Sequence, residues 1–181
     1  MEYKFVGINQ VQVKTQVELT FARALRAFLR QDPDVIMVGE VRDTETAQIC
    51  LRAALTGHFV LSTLHTNTSL AAVARLKDMG IEPFLIASTL RLVEAQRLIR
   101  RLCTKCKEAF EPNEEMIRKY GFEKGSKIYR PKGCELCRGS GYKGRVGLFE
   151  VIRIIPALRD LIQDGAPLPK LEEAARKDGM K

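Results

Sequence analysis

The chain has 181 residues, 45% of them hydrophobic, enough for a core of its own and too apolar for a disordered chain. No apolar run approaches the roughly 18 residues that span a bilayer. No charged-then-apolar leader opens the chain either, so a soluble, cytoplasmic protein is expected. The formal charge of +8 arises from 30 Lys and Arg against 22 Asp and Glu, and the excess is local, with 14 bases against 6 acids between Arg97 and Arg145. Such a patch suits nucleic acid or an anionic membrane. It has no regularly interleaved aromatics, and the plainer reading is that it solvates a small domain and offsets thiolate charge at a metal.

In chain order, Tyr3, Phe5, Ile8, Val11 and Val13 alternate around Gly7 as extended or hairpin structure. Thr15 and Glu18 form a capping box for a helix to about Gln31. Phe21, Leu25, Phe28 and Leu29 give that helix an apolar face, Arg23, Arg26 and Arg30 share another, and Pro33 stops it. Val35 to Gly39 reads as a buried parallel strand that ends abruptly in Glu40, Arg42 and Asp43. In open α/β sheets that carboxyl edge is where ligands bind. Asp43 caps a second helix, with Ala47, Cys50, Leu51 and Ala54 on its apolar face, and Gly57 ends it.

Phe59 to Leu64 reads as a second buried strand leading into His65-Thr66-Asn67. A third helix is expected from Ser69 to Met79, stopped by Gly80. A fourth, opened by Pro83, carries Leu85, Ile86, Leu90 and Val93 towards Gln96. The alternation predicts an α/β fold with a parallel sheet and right-handed crossovers. Beyond Cys103 the chain becomes rich in Gly and Lys, and from Pro156 short amphipathic helices return. The expected divisions are therefore 1–102, 103–149 and 150–181.

Cys103-x-x-Cys106 and Cys134-x-x-Cys137, separated by 27 residues, form a metal-binding pattern. Four thiolates satisfy tetrahedral zinc and leave no open position for catalysis. Disulfides and an iron–sulfur cluster are the competing readings, and nothing points to an oxidising compartment. Lys105, Lys107, Lys132 and Arg138 would offset the charge of such a site. Cys50, between Ala47 and Ala54, reads as a core residue.

The fifteen residues from Leu29 to Asp43 resemble the Walker B signature of the type II secretion and type IV pilus assembly ATPases. Thr56 to Asn67 resembles that family's His box, and the cysteine spacing matches the tetracysteine insert of its assembly members. The resemblance implies a RecA-like P-loop NTPase sheet, here its second half only, with a small zinc-binding insert and C-terminal helices. Glu40 would be the catalytic glutamate, orienting or deprotonating the attacking water or holding magnesium through water. Gly39 stands where many P-loop proteins carry Asp, a departure typical of the family it resembles, which leaves direct magnesium ligation by this strand open. His65 would sense the γ-phosphate, while His58 is as readily structural as functional. Arg23, Arg26, Arg30 and Arg42 would bring positive charge to nucleotide held between subunits, with Arg26 or Arg30 the interfacial candidates, and Glu2-Tyr3 resembles the tail of an acidic box.

The implied cofactors are structural Zn2+ and, in a longer parent, ATP and Mg2+. The implied partners are five further copies in a homo-hexamer and an inner-membrane platform protein, with the motor peripheral at that membrane. The chain holds no G-x-x-x-x-G-K-[ST] loop. On the resemblance it is therefore expected to be an excised piece of the motor, inactive alone. The rival class is a zinc-stabilised binding module. Cys134 to Gly141 resembles one C-x-x-C-x-G-x-G unit of J-domain chaperones, and a zinc ribbon for nucleic acid is the further option.

Overall fold

The structure, a computed structural model, describes residues 4–180, so Glu2 and Tyr3 lie outside the described residues. Residues 4–13 contain no helix or strand, and a single bridge joins Lys14 to Leu19 around a short 3-10 turn, Thr15–Val17. The expected first helix begins five residues late, as α1, Phe21–Phe28. Glu18 sits at φ 55, a left-handed conformation that a helix interior does not hold. Thr20 becomes the cap instead, its hydroxyl accepting from Arg23 N at 3.2 Å.

β1, Val35–Val38, pairs in parallel with β2, Phe59–Ser62, with Val35 opposite Phe59 and Val38 opposite Ser62. Between them runs α2, Thr44–Leu55, capped by Asp43 and closed by Gly57 at φ 106, as the sequence pattern predicts. The strands differ from expectation in burial. Ile36 and Val38 are buried, whereas Val35 and Met37 are 57% and 69% exposed, and Phe59 and Leu61 are 58% and 44% exposed. An unbroken apolar run predicts two covered faces, and the helices described here cover only one.

α3, Ala71–Asp78, and α4, Pro83–Thr89, follow. The expected run of helix to Gln96 is overturned, because Leu90 turns extended at ψ 126 and β3 begins at Leu92. β3, Leu92–Leu102, pairs with β6, Tyr142–Arg153, some fifty residues on by sequence. That pairing leaves no local signal, whereas the apolar spacing of Leu85 to Val93 does.

The chain divides into two compact units, the first Met1–Ala95 with Glu150–Lys181, the second Gln96–Phe149. α6, Pro156–Gln163, and α7, Leu168–Lys177, belong to the first. Leu158, Ile162 and Leu171 join Leu25, Ile36, Val73 and Ile86 in one buried cluster, so the residues after 150 complete the core of the α/β unit. Full burial of a side chain such as Ile86 or Leu158 contributes about 1.5–3 kcal/mol. The second unit pairs β4, Glu108–Phe110, with β5, Ile128–Arg130, and holds α5, Glu114–Tyr120, between them in sequence. Among the described residues its buried apolar cluster consists of cysteines: Cys103, Cys106 and Cys137, with Cys134 against them.

Candidate functional site

The parallel register sets the carboxyl ends of β1 and β2 side by side, and the chain laces them together just beyond. Val41 N donates to Thr63 O at 3.0 Å, and the Thr63 hydroxyl donates to Gly39 O at 2.7 Å. This closes the distance between two residues 25 apart in sequence. Glu40 Oε1 lies 2.6 Å from His65 Nε2, a close contact without the direction of a hydrogen bond. Oε2 accepts from Arg42 Nε at 2.6 Å, with Nη2 at 2.5 Å. The Arg42 guanidinium holds the Glu40 carboxyl below the usual carboxylate range, and His65 adds to the effect. Glu40 is 16% exposed while His65 is 86% exposed, so a shielded carboxylate carries an open imidazole beside it. A Cβ at Gly39 would meet nothing within 4 Å, leaving the approach to this edge clear.

Such a cluster can hold an oriented water or a hydrated cation. The arginines of the first helix stand apart from this cluster, two of them in ion pairs. Arg26 Nη2 pairs with Glu45 Oε1 on α2 at 2.5 Å, Arg23 with Glu18 at 3.4 Å, and Arg30 is exposed beyond the end of α1. His58 stands at the opposite end of β2 from His65. Its Nδ1 lies 3.1 Å from Ala53 O and 3.2 Å from the Thr56 hydroxyl, tying it to the last turn of α2. Thr63, Ser69 and Glu150, none of them singled out from sequence, also shape this edge. Both Ser69 N, at 2.7 Å, and its hydroxyl donate to Glu150 Oε1. The available signal was a lone acid inside the apolar run Leu148-Phe149-Glu150-Val151-Ile152.

In the second unit the four paired cysteines converge, with all sulfurs within 4.8 Å of one another. Cys103 and Cys134 are 3.9 Å apart, Cys106 and Cys137 3.8 Å, and Cys134 and Cys137 3.7 Å. A tetrahedron of Zn–S bonds near 2.3 Å requires sulfurs about 3.8 Å apart, whereas a disulfide requires about 2.05 Å. The donor set therefore fits a four-coordinate soft metal, and every cysteine is unbridged. Burial pushes the Cys106 thiol up to about 11. At Cys137 burial also raises the thiol, but the amides of Cys134 and Gly141 outweigh it and bring Cys137 down to about 6. The loop that aims these amides needs glycine. Gly141 sits at φ 75, and a Cβ there would lie 2.4 Å from the Pro131 Cβ. Cys50 is buried on α2, where desolvation raises its thiol to about 11, as suits an inert core residue.

A two-stranded parallel sheet ending in an acid–imidazole pair, with a four-cysteine cluster in a separate unit, defines the chain as an α/β protein carrying a cysteine-rich second unit. The chain belongs to the family described as Type II/IV secretion system protein, whose pattern it matches over residues 1–181. It is 50% identical over 185 residues to the Type IV pilus assembly ATPase PilB of Thermus thermophilus, covering 100% of this chain and 21% of that protein. It is 52% identical over 178 residues to the Type II secretion system ATPase E of Vibrio cholerae, covering 97% and 35% respectively. The chain thus spans between a fifth and about a third of the length of these relatives. Among solved structures it resembles the pilus retraction motor PilT with bound ADP, at TM-score 0.56 and 32% identity, over 86% of this chain and 34% of that one. The Legionella pneumophila ATPase DotB gives TM-score 0.58 and 26% identity, over 92% and 36%.

Proposed function

We propose that the chain is part of a hexameric ATPase that powers pilin or pseudopilin assembly, working at the cytoplasmic side of an inner-membrane platform protein. The observation that carries this reading is the Glu40–His65 contact at the carboxyl edge of a parallel β1–β2 pair. Identity near 50% to ATPases of both systems supports it. In this reading the Leu29–Asp43 run is the Walker B segment. Glu40, ionised across the physiological range, orients the attacking water. Arg42 holds its carboxylate in place, and His65 supplies an exposed imidazole that can hydrogen-bond a terminal phosphate. Bound ATP with Mg2+ supplies the phosphoryl group and its charge neutralisation. The phosphate cradle is not encoded in these 181 residues. The chain alone is therefore expected to be inactive.

Zinc at Cys103, Cys106, Cys134 and Cys137 is the second half of the proposal. A unit whose buried apolar cluster is its cysteines needs the metal to fold. The test is made in a full-length protein carrying this segment. Glu40→Gln is expected to keep ATP binding and lower turnover by about a hundredfold or more. Metal analysis of protein purified without chelator should find about one zinc per chain. Wild-type turnover by the Glu40→Gln protein would overturn the hydrolytic reading, and cysteine disulfides the zinc reading.

A further inference from the structure

His65 stands in a loop fastened at both ends. At its start Thr63 is bonded to Gly39 and Val41. At its end lies Ser69, fully buried, whose amide and hydroxyl both reach one oxygen of Glu150. Glu150 lies on β6, 81 residues away in sequence, at the point where the chain returns from the second unit to the first. A further pair of bonds firms the loop between these anchors: the Thr66 hydroxyl donates to Thr68 O at 3.2 Å, and Ala71 N to the Thr68 hydroxyl at 3.3 Å. Loop geometry of this kind fixes where an exposed side chain can stand, and a shift near 1 Å at a reacting group can cost about a hundredfold in rate.

We propose that Glu150 is a positioning residue for His65, acting through Ser69 to hold the far end of the His65 loop against β6. This rests on the hydrolytic reading of the Glu40–His65 site. A carboxylate accepting two bonds from a fully buried serine is a specific device, because a buried serine without its partner would be left unsatisfied. Position 150 therefore needs an acceptor at that spot, not a negative charge.

The experiment compares Glu150→Ala, Glu150→Gln and Ser69→Ala in a full-length ATPase carrying this segment, each with and without His65→Ala, alongside Glu40→Gln. Glu150→Ala should lower kcat about tenfold with KM for ATP changed less than about twofold, and Glu150→Gln should recover most of it. In the His65→Ala background the Glu150→Ala loss should shrink to about twofold or less, since the two act through one group. If Glu150→Ala does not fold, Ser69→Ala carries the same comparison with a smaller loss. In the 181-residue chain, hydrogen exchange of the amides of residues 64–69 should speed about tenfold in Glu150→Ala, with β1 unchanged. Equal losses with and without His65, failure of Gln to restore turnover, or unchanged exchange would overturn the proposal. Should Glu40→Gln retain full turnover, the hydrolytic reading itself fails. A silent Glu40→Gln protein with fully additive Glu150 and His65 effects refutes the positioning role alone.

Discussion

His58 and His65 flank one four-residue strand, and their partners separate their roles. His65 is exposed beside Glu40, whereas His58 spends its Nδ1 on the end of α2. In the full-length protein, His65→Ala should therefore reduce ATP turnover while leaving thermal stability near wild type. His58→Ala should lower stability by about 1 kcal/mol with turnover kept, since it loses one net hydrogen bond. Thermal melts and steady-state rates on both proteins check this. The opposite ordering would mean that the phosphate-facing end of β2 has been misassigned. At this scale the sequence displayed Glu40, His65 and the four cysteines because each lies in a short local pattern. Ser69 and Glu150 were not legible, because the bond between them joins residues 81 apart and neither belongs to a pattern.

Among the elements, those fixed by neighbours in sequence were legible and those fixed by distant pairing were not. Asp43 caps α2 as its position predicts, with Oδ1 accepting from Thr46 N at 2.8 Å and Oδ2 from the Thr46 hydroxyl at 2.9 Å. Because Asp43 stands three residues past Glu40, the cap also fixes the route from β1 into α2. Asp43→Ala should cost about 1 kcal/mol or more of stability. Circular dichroism during denaturant titration measures that loss, and an unchanged midpoint would show that the cap contributes nothing. β3 was hidden because Leu85, Ile86, Leu90 and Val93 fit a helical period, whereas the β6 ladder that makes Leu92–Leu102 a strand is remote. α1 starts late because Glu18 adopts a left-handed conformation that its capping-box pattern does not foretell.

For the molecule as a whole, the two units rest on different physics. The first is held by a continuous apolar cluster running from Leu25 to Ala175. The second buries sulfur where a core would stand, so on the proposed zinc reading its folding energy is metal affinity. Removing metal with a strong chelator, or substituting Cys134→Ser, should therefore open residues 103–149 to protease. The α/β unit should stay resistant under the same digestion. Cleavage of both units at equal rates would show that the core of the first also depends on the metal.

One consequence of the strand pairing reaches beyond stability. β3 takes the chain out of the α/β unit and β6 brings it back alongside, with Ile154 N bonded to Arg91 O at 2.9 Å where the two begin and end. In chain order, residues 103–141 therefore form the connection between two paired strands, the kind of place where chains accept insertions most easily. The cysteine-bearing unit is in that sense a detachable fitting. A descendant could lengthen it, exchange it or close the hairpin with a two-residue turn. The α/β unit would be indifferent so long as the returning strand still presents its glutamate to the serine that waits for it.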